Sequence, residues 1–240
     1  MQAYAYSHIG SVRKKNEDAL FCDADLGLFI VADGIGGRLA GEVASSMAIN
    51  IAVETVKSES DENPLTVLKE AFYRANDALF RGGKEKEHLG MGSTMTAVLI
   101  RKDRLYWAHV GDSRAYLINE EGIEQLTQDH SLVGELLREG TISEDEAEHH
   151  PQKNILIRSL GQESLVKVDS GEVSWQTGHY LLICSDGLYN LIDKEKIQQM
   201  VCGSTDLSLT TKQMVEAALA AGGFDNISIV LVHLQGEGNK

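Results

Sequence analysis

The sequence has little of what linkers, disulfide frameworks and membrane spans are made of. It contains two prolines, and its three cysteines, Cys22, Cys184 and Cys202, lie far apart without C-x-x-C spacing. No apolar run approaches the ~20 residues of a membrane-spanning helix, and the N-terminal stretch lacks the apolar core of a signal peptide. We therefore expect one domain over residues 1–240, in the cytoplasm, with reduced and buried thiols.

Basic residues are also in short supply. The chain has 22 lysines and arginines against 36 aspartates and glutamates, a formal net charge of −14. Nucleic acids and anionic membranes need basic surface to replace their counterions, so neither is an expected partner. An acidic chain can instead gather carboxylates around cations.

Short runs rich in β-branched and aromatic residues predict strands, and amphipathic stretches between them predict helices. One helix covers 41–56, a second runs from the Asn63-Pro64 cap to Gly82-Gly83, and a third covers about 208–221. The predicted strands are 28–32, 95–100, 105–110, 115–118, 180–184 and 227–234.

Several of these strands follow one another without an intervening helix. This order favours antiparallel sheets covered by helices over a doubly wound parallel sheet. The charged segment of about 129–155 differs in texture and contains a capping box, Ser143 with Glu146. We interpret that segment as a small helical flap on the domain.

Four aspartates stand at predicted strand ends. Asp33 and Asp186 each end an apolar run and precede a glycine, Asp112 lies in a turn between two strands, and Asp225 precedes the last strand. One such aspartate is commonplace, because aspartate caps turns through its own backbone. Four of them favour a single site, where carboxylates crowded together need cations between them. Asp and backbone oxygens such as that of Gly34 are typical ligands of Mg²⁺ and Mn²⁺.

A further polar group lies near the N-terminus, where Arg13 precedes Glu17 and Asp18. Arginine presents a planar, permanently charged fork that suits a phosphate. An acidic cation site beside such an arginine indicates metal-assisted phosphoryl hydrolysis.

These motifs together resemble a known family. The set Arg13-x-x-Asn16-Glu17-Asp18, "VADGIGG", "GDSR", "SDGL" and "DN" is similar, in order and over essentially the whole chain, to the type 2C metal-dependent serine/threonine protein phosphatases in their compact bacterial form. The resemblance implies an α+β fold, a four-layer α/β/β/α sandwich of two antiparallel β-sheets flanked by helices, with a small flap. It also implies hydrolysis of phosphoserine and phosphothreonine in proteins.

The resemblance further implies a centre of two Mn²⁺ or Mg²⁺ ions. Asp33 would bridge both, Asp186 and Asp225 would complete one site, and Asp112 with Asp186 would recruit a third, weaker ion. Glu17 and Asp18 would hold water molecules on the metals. The implied metal set is Glu17, Asp18, Asp33, Gly34, Asp112, Asp186 and Asp225.

Outside the metal set, Arg13 would bind the substrate phosphate beside the catalytic Asp33, and Asn226 would orient Asp225. A metal-bridging hydroxide would attack phosphorus directly, without a phosphoenzyme. In agreement, none of the three cysteines has the arginine six residues later that a cysteine-nucleophile loop requires. The expected partners are phosphorylated proteins and an opposing serine/threonine kinase, and the expected state is a monomer.

One departure from the family pattern concerns the proton donor. Many members have a histidine directly after the Asp-Gly pair or just after the double glycine, where this chain has Ile35 and Arg38. The general acid is therefore open between water on the metals and another group, and Arg38 is a candidate second phosphate contact or a solvent-facing residue. His109 fits a strand pattern, and His149-His150 a solvated part of the flap.

The sequence favours three other functions less. A metal-dependent nuclease or phosphodiesterase is disfavoured by the acidic composition. A nucleotide-binding protein lacks support, since "LGMGSTM" has no third glycine and no G-x-x-x-x-G-K-[ST] motif occurs. A catalytically weak or inactive member that binds phosphoproteins would be marked by loss of a metal-bridging acid, yet every matched acid is present.

Overall fold

The strands and helices are described by a computed structural model that covers residues 1–36, 40–59, 62–84 and 89–235. Within these ranges the strands are β1 (Gln2–His8), β2 (Asp18–Asp23), β3 (Leu28–Ile35), β4 (Gly92–Ser93), β5 (Met95–Arg101), β6 (Arg104–Val110), β7 (Arg114–Asn119), β8 (Gly122–Gln125), β9 (Asp169–Ser174), β10 (Tyr180–Cys184) and β11 (Ile227–His233). The helices are α1 (Ala40–Ser58), α2 (Pro64–Gly82), α3 (Leu132–Arg138), α4 (Glu144–Glu148), α5 (Asp186–Tyr189), α6 (Lys194–Cys202) and α7 (Leu207–Ala220).

The strands form two sheets. One has the order β1-β11-β10-β7-β8, and the other has the order β2-β3-β5-β6-β9 with the short β4 beside β3. The strand pairings among the described residues are antiparallel, as the clustering of strands along the sequence predicted.

The apolar run in β3 shows how the layers are built. Leu28 and Ile30 pack in one core with α1 and α2, whereas Phe29 and Val31 pack in a second core between the two sheets. A third core joins the other sheet to α5, α6 and α7. A strand buried on both faces reads as a continuous apolar run because each face meets a dry layer. The predicted four-layer α/β/β/α sandwich is confirmed.

Most predicted elements are present with shifted ends. The strand at 180–184 coincides with β10, and Asn63 caps α2 by accepting hydrogen bonds from the backbone of Leu65 and Thr66. The prediction for 28–32 was too short, because β3 continues through Asp33 to Ile35 by pairing with β4. Strands β1, β2 and β9 were not predicted, since their partly exposed sequences carry weaker alternation.

The segment 129–155 contains α3 and α4, and the predicted capping box at Ser143 and Glu146 is confirmed. All three cysteines are free, with Cys184 buried and the other two partly exposed. Among the described residues, no helix combines the length and the apolar character needed to cross a membrane.

Candidate metal centre

The predicted acids meet at one end of the sandwich because of strand register. Arg114 at the start of β7 pairs with Cys184 at the end of β10, and Cys184 pairs with Ile229 near the start of β11. The loops at these strand ends carry Asp112, Asp186 and Asp225. The topology thus brings together acids that lie far apart in the sequence.

The other sheet contributes a second pair of acids to the same end. Asp18 opens β2 and is the direct antiparallel partner of Asp33 on β3. Ser185, which precedes Asp186, donates a hydrogen bond to Asp18 Oδ2 at 2.8 Å. This hydroxyl therefore links the acids of the two sheets.

A cleft of about 530 Å³ opens at this end. Asp18 is absent from its lining and lies behind Asp33, while Gly37 and Arg38 lie outside the described residues. All other predicted site residues line the cleft, namely Arg13, Glu17, Asp33, Gly34, Asp112, Asp186, Asp225 and Asn226.

The carboxyl groups perturb one another. Burial, followed by the charges of neighbouring aspartates, raises the pKa of Asp33 and of Asp186 well above the usual range. Burial also raises the pKa of Asp18 to about 6, and burial with the charge of Asp129 raises the pKa of Asp112 to about 7. Such a cluster holds its full negative charge at neutral pH only when cations offset the repulsion.

The donor chemistry fits hard cations. Asp186 Oδ1 is buried and has no hydrogen-bond partner among the described residues, as expected of an oxygen kept for a cation. In the arrangement described, no three Asp, Glu, His or Cys side chains stand in a geometry that could hold an ion, and Asp225 instead accepts a hydrogen bond from Arg13 at 2.6 Å. In this arrangement Asp225 is therefore engaged by Arg13.

Comparison with known proteins shows the family. The family model described as protein phosphatase 2C matches residues 3–136.

The chain belongs to the protein phosphatase 2C family.

Similar members cover nearly all of it. The serine/threonine phosphatase stp of Listeria welshimeri is 40% identical over 93% of this chain and 92% of its own length. The serine/threonine phosphatase PstP/Ppp of Mycobacterium tuberculosis superposes with a TM-score of 0.91 at 33% identity, over 98% of each chain. The catalytic domain of a serine threonine protein phosphatase PstP, solved in complex with 2 manganese ions, has a TM-score of 0.87 at 32% identity over 96% of each chain.

In this protein phosphatase 2C member, Gly34 has a packing role that the sequence did not suggest. A Cβ there would collide with the carbonyl oxygen of Gly41 at the start of α1 and would lie 2.7 Å from the carbonyl oxygen of Glu17. The Gly34 amide also donates to that Glu17 carbonyl at 3.1 Å. The bare backbone lets β3, α1 and the Glu17 loop meet behind the acids.

Asn226 was expected to orient Asp225, and its side chain instead bonds the backbone of the segments before β2. Its side-chain oxygen accepts from the Glu17 amide at 2.8 Å, and its side-chain nitrogen donates to the carbonyls of Ile9 and Lys15 at 2.8 and 2.9 Å. Its backbone amide donates to Asp225 Oδ1 at 2.8 Å. One side chain thus fixes both loops that carry Glu17 and Asp225.

Sequence reasoning missed a supporting group next to Asp112. The Tyr189 hydroxyl donates to the Asp112 carbonyl at 2.9 Å, and the Arg114 guanidinium lies 3.6 Å above the Tyr189 ring. Arg114 also binds Asp129 with two parallel hydrogen bonds, of 3.0 and 2.7 Å. The arginine of "GDSR" was the available signal, but nothing in the sequence identified its partners.

The histidines are placed as expected. His109 is fully buried and bonds Thr96 at 2.8 Å, and burial lowers its pKa to about 3, so it is a neutral structural side chain. His149 is exposed at the end of α4. Among the described residues, no histidine lines the cleft.

Proposed function

We propose that this chain is a serine/threonine protein phosphatase that depends on Mn²⁺ or Mg²⁺. One observation carries the proposal: five acids and one arginine line a single cleft at the strand ends of a protein phosphatase 2C fold. Relatives named as serine/threonine phosphatases, and a similar chain solved with 2 manganese ions, support it.

The cation-binding residues in this proposal are those of the cleft. Asp33, Asp186 and Asp225 with the Gly34 carbonyl would hold two ions, Glu17 and Asp18 would bind their water molecules, and Asp112 with Asp186 would hold a third, weaker ion. The ions would supply the positive charge that stabilises a phosphoryl group during displacement. The partnerless Asp186 oxygen and the mutual repulsion of the acids support this assignment.

Arg13 is the proposed phosphate ligand. It lines the cleft, half of its side chain is exposed, and its present partner is the carboxylate of Asp225. If Asp225 bound a cation, the planar guanidinium would be free to bind two phosphate oxygens. Arg13 thereby holds phosphorus in place for direct, in-line displacement, and none of the three cysteines lines the cleft as a nucleophile.

The proton for the leaving group is not supplied by a histidine of the described cleft, where Ile35 lines the wall beside Gly34. Water or another group supplies it instead. The wider setting in this proposal is signalling: a cytoplasmic monomer that opposes a serine/threonine kinase, with a flap subdomain at about 129–155 of the single domain.

The test is phosphate release from a phosphothreonine peptide with Mn²⁺, with Mg²⁺ and after chelation. We expect release that needs the cation and is abolished by Asp33→Ala. Asp25→Ala, which removes an exposed acid outside the cleft, is the matched control and should retain activity. Tight peptide binding without turnover under any condition would instead identify an inactive phosphoprotein-binding member.

A further inference from the structure

Two large apolar side chains stand exposed beside the proposed phosphate ligand. Val12 and Phe224 are each 62% exposed, and they are the immediate sequence neighbours of Arg13 and Asp225. Single apolar residues on a surface are ordinary. These two are distinguished by their position, because Arg13 and Asp225 both line the cleft and form an ion pair.

The two loops that carry these side chains are joined. The Ser11 amide donates to the Gly223 carbonyl at 2.7 Å, and Arg13 bonds Asp225 at 2.6 Å. Val12 lies between Ser11 and Arg13 in one loop, and Phe224 lies between Gly223 and Asp225 in the other. The apolar pair therefore belongs to one connected rim, which we call the Val12–Phe224 rim.

The orientation of the Phe224 ring is fixed by a glycine. Gly222 has φ +128°, and a Cβ at that position would collide with the ring of Phe224. The ring thus rests on bare backbone instead of entering the core between α7 and the sheet. Holding an aromatic ring in solvent contributes little to folding, whereas an exposed ring packed on the backbone offers apolar area to another chain.

The remaining walls of the cleft limit what this rim can bind. On the other side the cleft is lined by uncharged side chains, among them Asn154, Leu156, Ser159 and Gln162. In the described part of the lining, Arg13 is the one basic residue against five acids. This lining offers no further basic side chain to an acidic residue next to the phosphate, whereas Val12 and Phe224 offer an apolar residue a surface to cover.

We propose that the Val12–Phe224 rim is a substrate subsite that binds an apolar residue next to the phosphorylated serine or threonine. The inference rests on the proposed function, since the phosphate on Arg13 sets the register. Successive Cα atoms are about 3.8 Å apart, so a residue one or two positions from the phosphorylated one is displaced by steps like those from Arg13 to Val12 and from Asp225 to Phe224. The occupant is an extended phosphoprotein segment, and its apolar side chain covers the Phe224 ring.

The experiment compares phosphothreonine peptides that carry Leu or Gln at one of the two positions on either side of the phosphorylated residue. Leu and Gln are similar in length and both uncharged, so the ratio of their kcat/KM values reports apolar contact alone. Wild type, Phe224→Ala, Phe224→Leu and Val12→Ala are measured with Mn²⁺. Leu209→Ala, which removes an exposed leucine near the start of α7, is the control.

We expect wild type to prefer Leu about fivefold at one or more positions, the preference that partial burial of a leucine side chain provides. Phe224→Ala should reduce this ratio to about one, Val12→Ala should reduce it partly, and Phe224→Leu and Leu209→Ala should retain it. Equal use of Leu and Gln peptides by wild type, or an undiminished preference in Phe224→Ala, overturns the subsite while leaving the phosphatase activity in place.

Two further outcomes also decide the question. Absence of any cation-dependent release by wild type removes the proposed function and the subsite together. A wild-type dimer in size-exclusion chromatography that Phe224→Ala converts to a monomer would show that the rim binds a second copy of the chain, and this too overturns the subsite.

Discussion

Asp186 in the cleft and two acids outside its lining, Asp129 and Asp169, are treated in opposite ways by the fold. In the cleft, Asp186 keeps one buried oxygen without a partner in the described structure, and its pKa is raised. Outside the cleft lining, Asp129 accepts hydrogen bonds from Arg114. Asp169 accepts a hydrogen bond from Arg158 at 2.8 Å and lies 3.2 Å from His130. The Asp186 oxygen is thus left available to an added cation, as the proposed function requires, whereas Asp129 and Asp169 are held by basic side chains.

The pKa of Asp169 illustrates the difference. Burial raises this pKa. The hydrogen bond with His130 and the positive charge of Arg158 lower it by more than burial raises it, so the net shift is downward. For Asp33, burial and the neighbouring carboxylates act in the same direction, upward. The same physical terms therefore separate a structural acid from a cation-binding one.

Replacing a cleft acid should give the largest effect. We expect Asp186→Ala to lower kcat by about a thousandfold or more, on the scale of losing a main electrostatic stabiliser of the transition state. The metal-free fold should remain intact, because the change removes a charge from a repulsive cluster. Phosphate release tests the expected loss of activity, and circular dichroism tests whether the fold is kept. Loss of the folded spectrum in Asp186→Ala would mean that Asp186 is mainly structural.

Replacing an acid outside the cleft lining should affect stability first. Asp129→Ala leaves the largely buried Arg114 without its carboxylate, and we expect the free energy of unfolding to fall by about 3 kcal/mol. Denaturant titration measures this loss. A stability equal to that of wild type would show that the Arg114–Asp129 pair does not hold the frame, and the contrast between the two groups of acids would be lost.

The pH dependence of folding stability in the metal-free protein reports on the acids with raised pKa values. Because the folded-state pKa values of Asp18 and Asp112 are raised to about 6 and about 7, the folded chain binds more protons than the unfolded chain between about pH 4 and 7. Stability from these groups is fully present below the unfolded pKa and is lost as pH rises through the folded pKa.

The denaturation midpoint in chelator should therefore decline from pH 5 to pH 8. Asp112→Asn should reduce the decline, and saturating Mn²⁺ should remove most of it by binding the ionised acids. A midpoint that rises with pH in the chelated wild type would contradict the assigned repulsion among the cleft acids.

The smallest expected effect concerns Tyr189, which contacts both Asp112 of the cleft and Arg114, the partner of Asp129. Tyr189→Phe deletes the hydroxyl that donates to the Asp112 carbonyl while keeping the ring beneath Arg114. We expect a loss of about 1 kcal/mol in stability and a weaker affinity for the last Mn²⁺ to bind. Calorimetric Mn²⁺ titration tests the second expectation, and an affinity matching that of wild type would show that Tyr189 does not position Asp112.

The fold and the positions of the cleft acids could be predicted because their signals are local. Asp33 and Asp186 each follow an apolar run and precede glycine, a pattern visible without any partner. The pairing of Asp18 with Asp33 could not be foreseen, since β2 is partly exposed and lacks a clear strand pattern. Tyr189 was missed for a related reason, because its importance comes from a contact with a residue 77 positions away.

The central claim is that the cleft acids hold two ions for hydrolysis, and counting those ions tests it most directly. We would titrate Mn²⁺ into metal-free protein by isothermal titration calorimetry and follow phosphate release in parallel samples. The account predicts at least two Mn²⁺ per chain, release that rises with occupancy, and loss of both in Asp33→Ala. Phosphate release that persists in chelator, or wild-type binding that Asp33→Ala leaves unchanged, would contradict it.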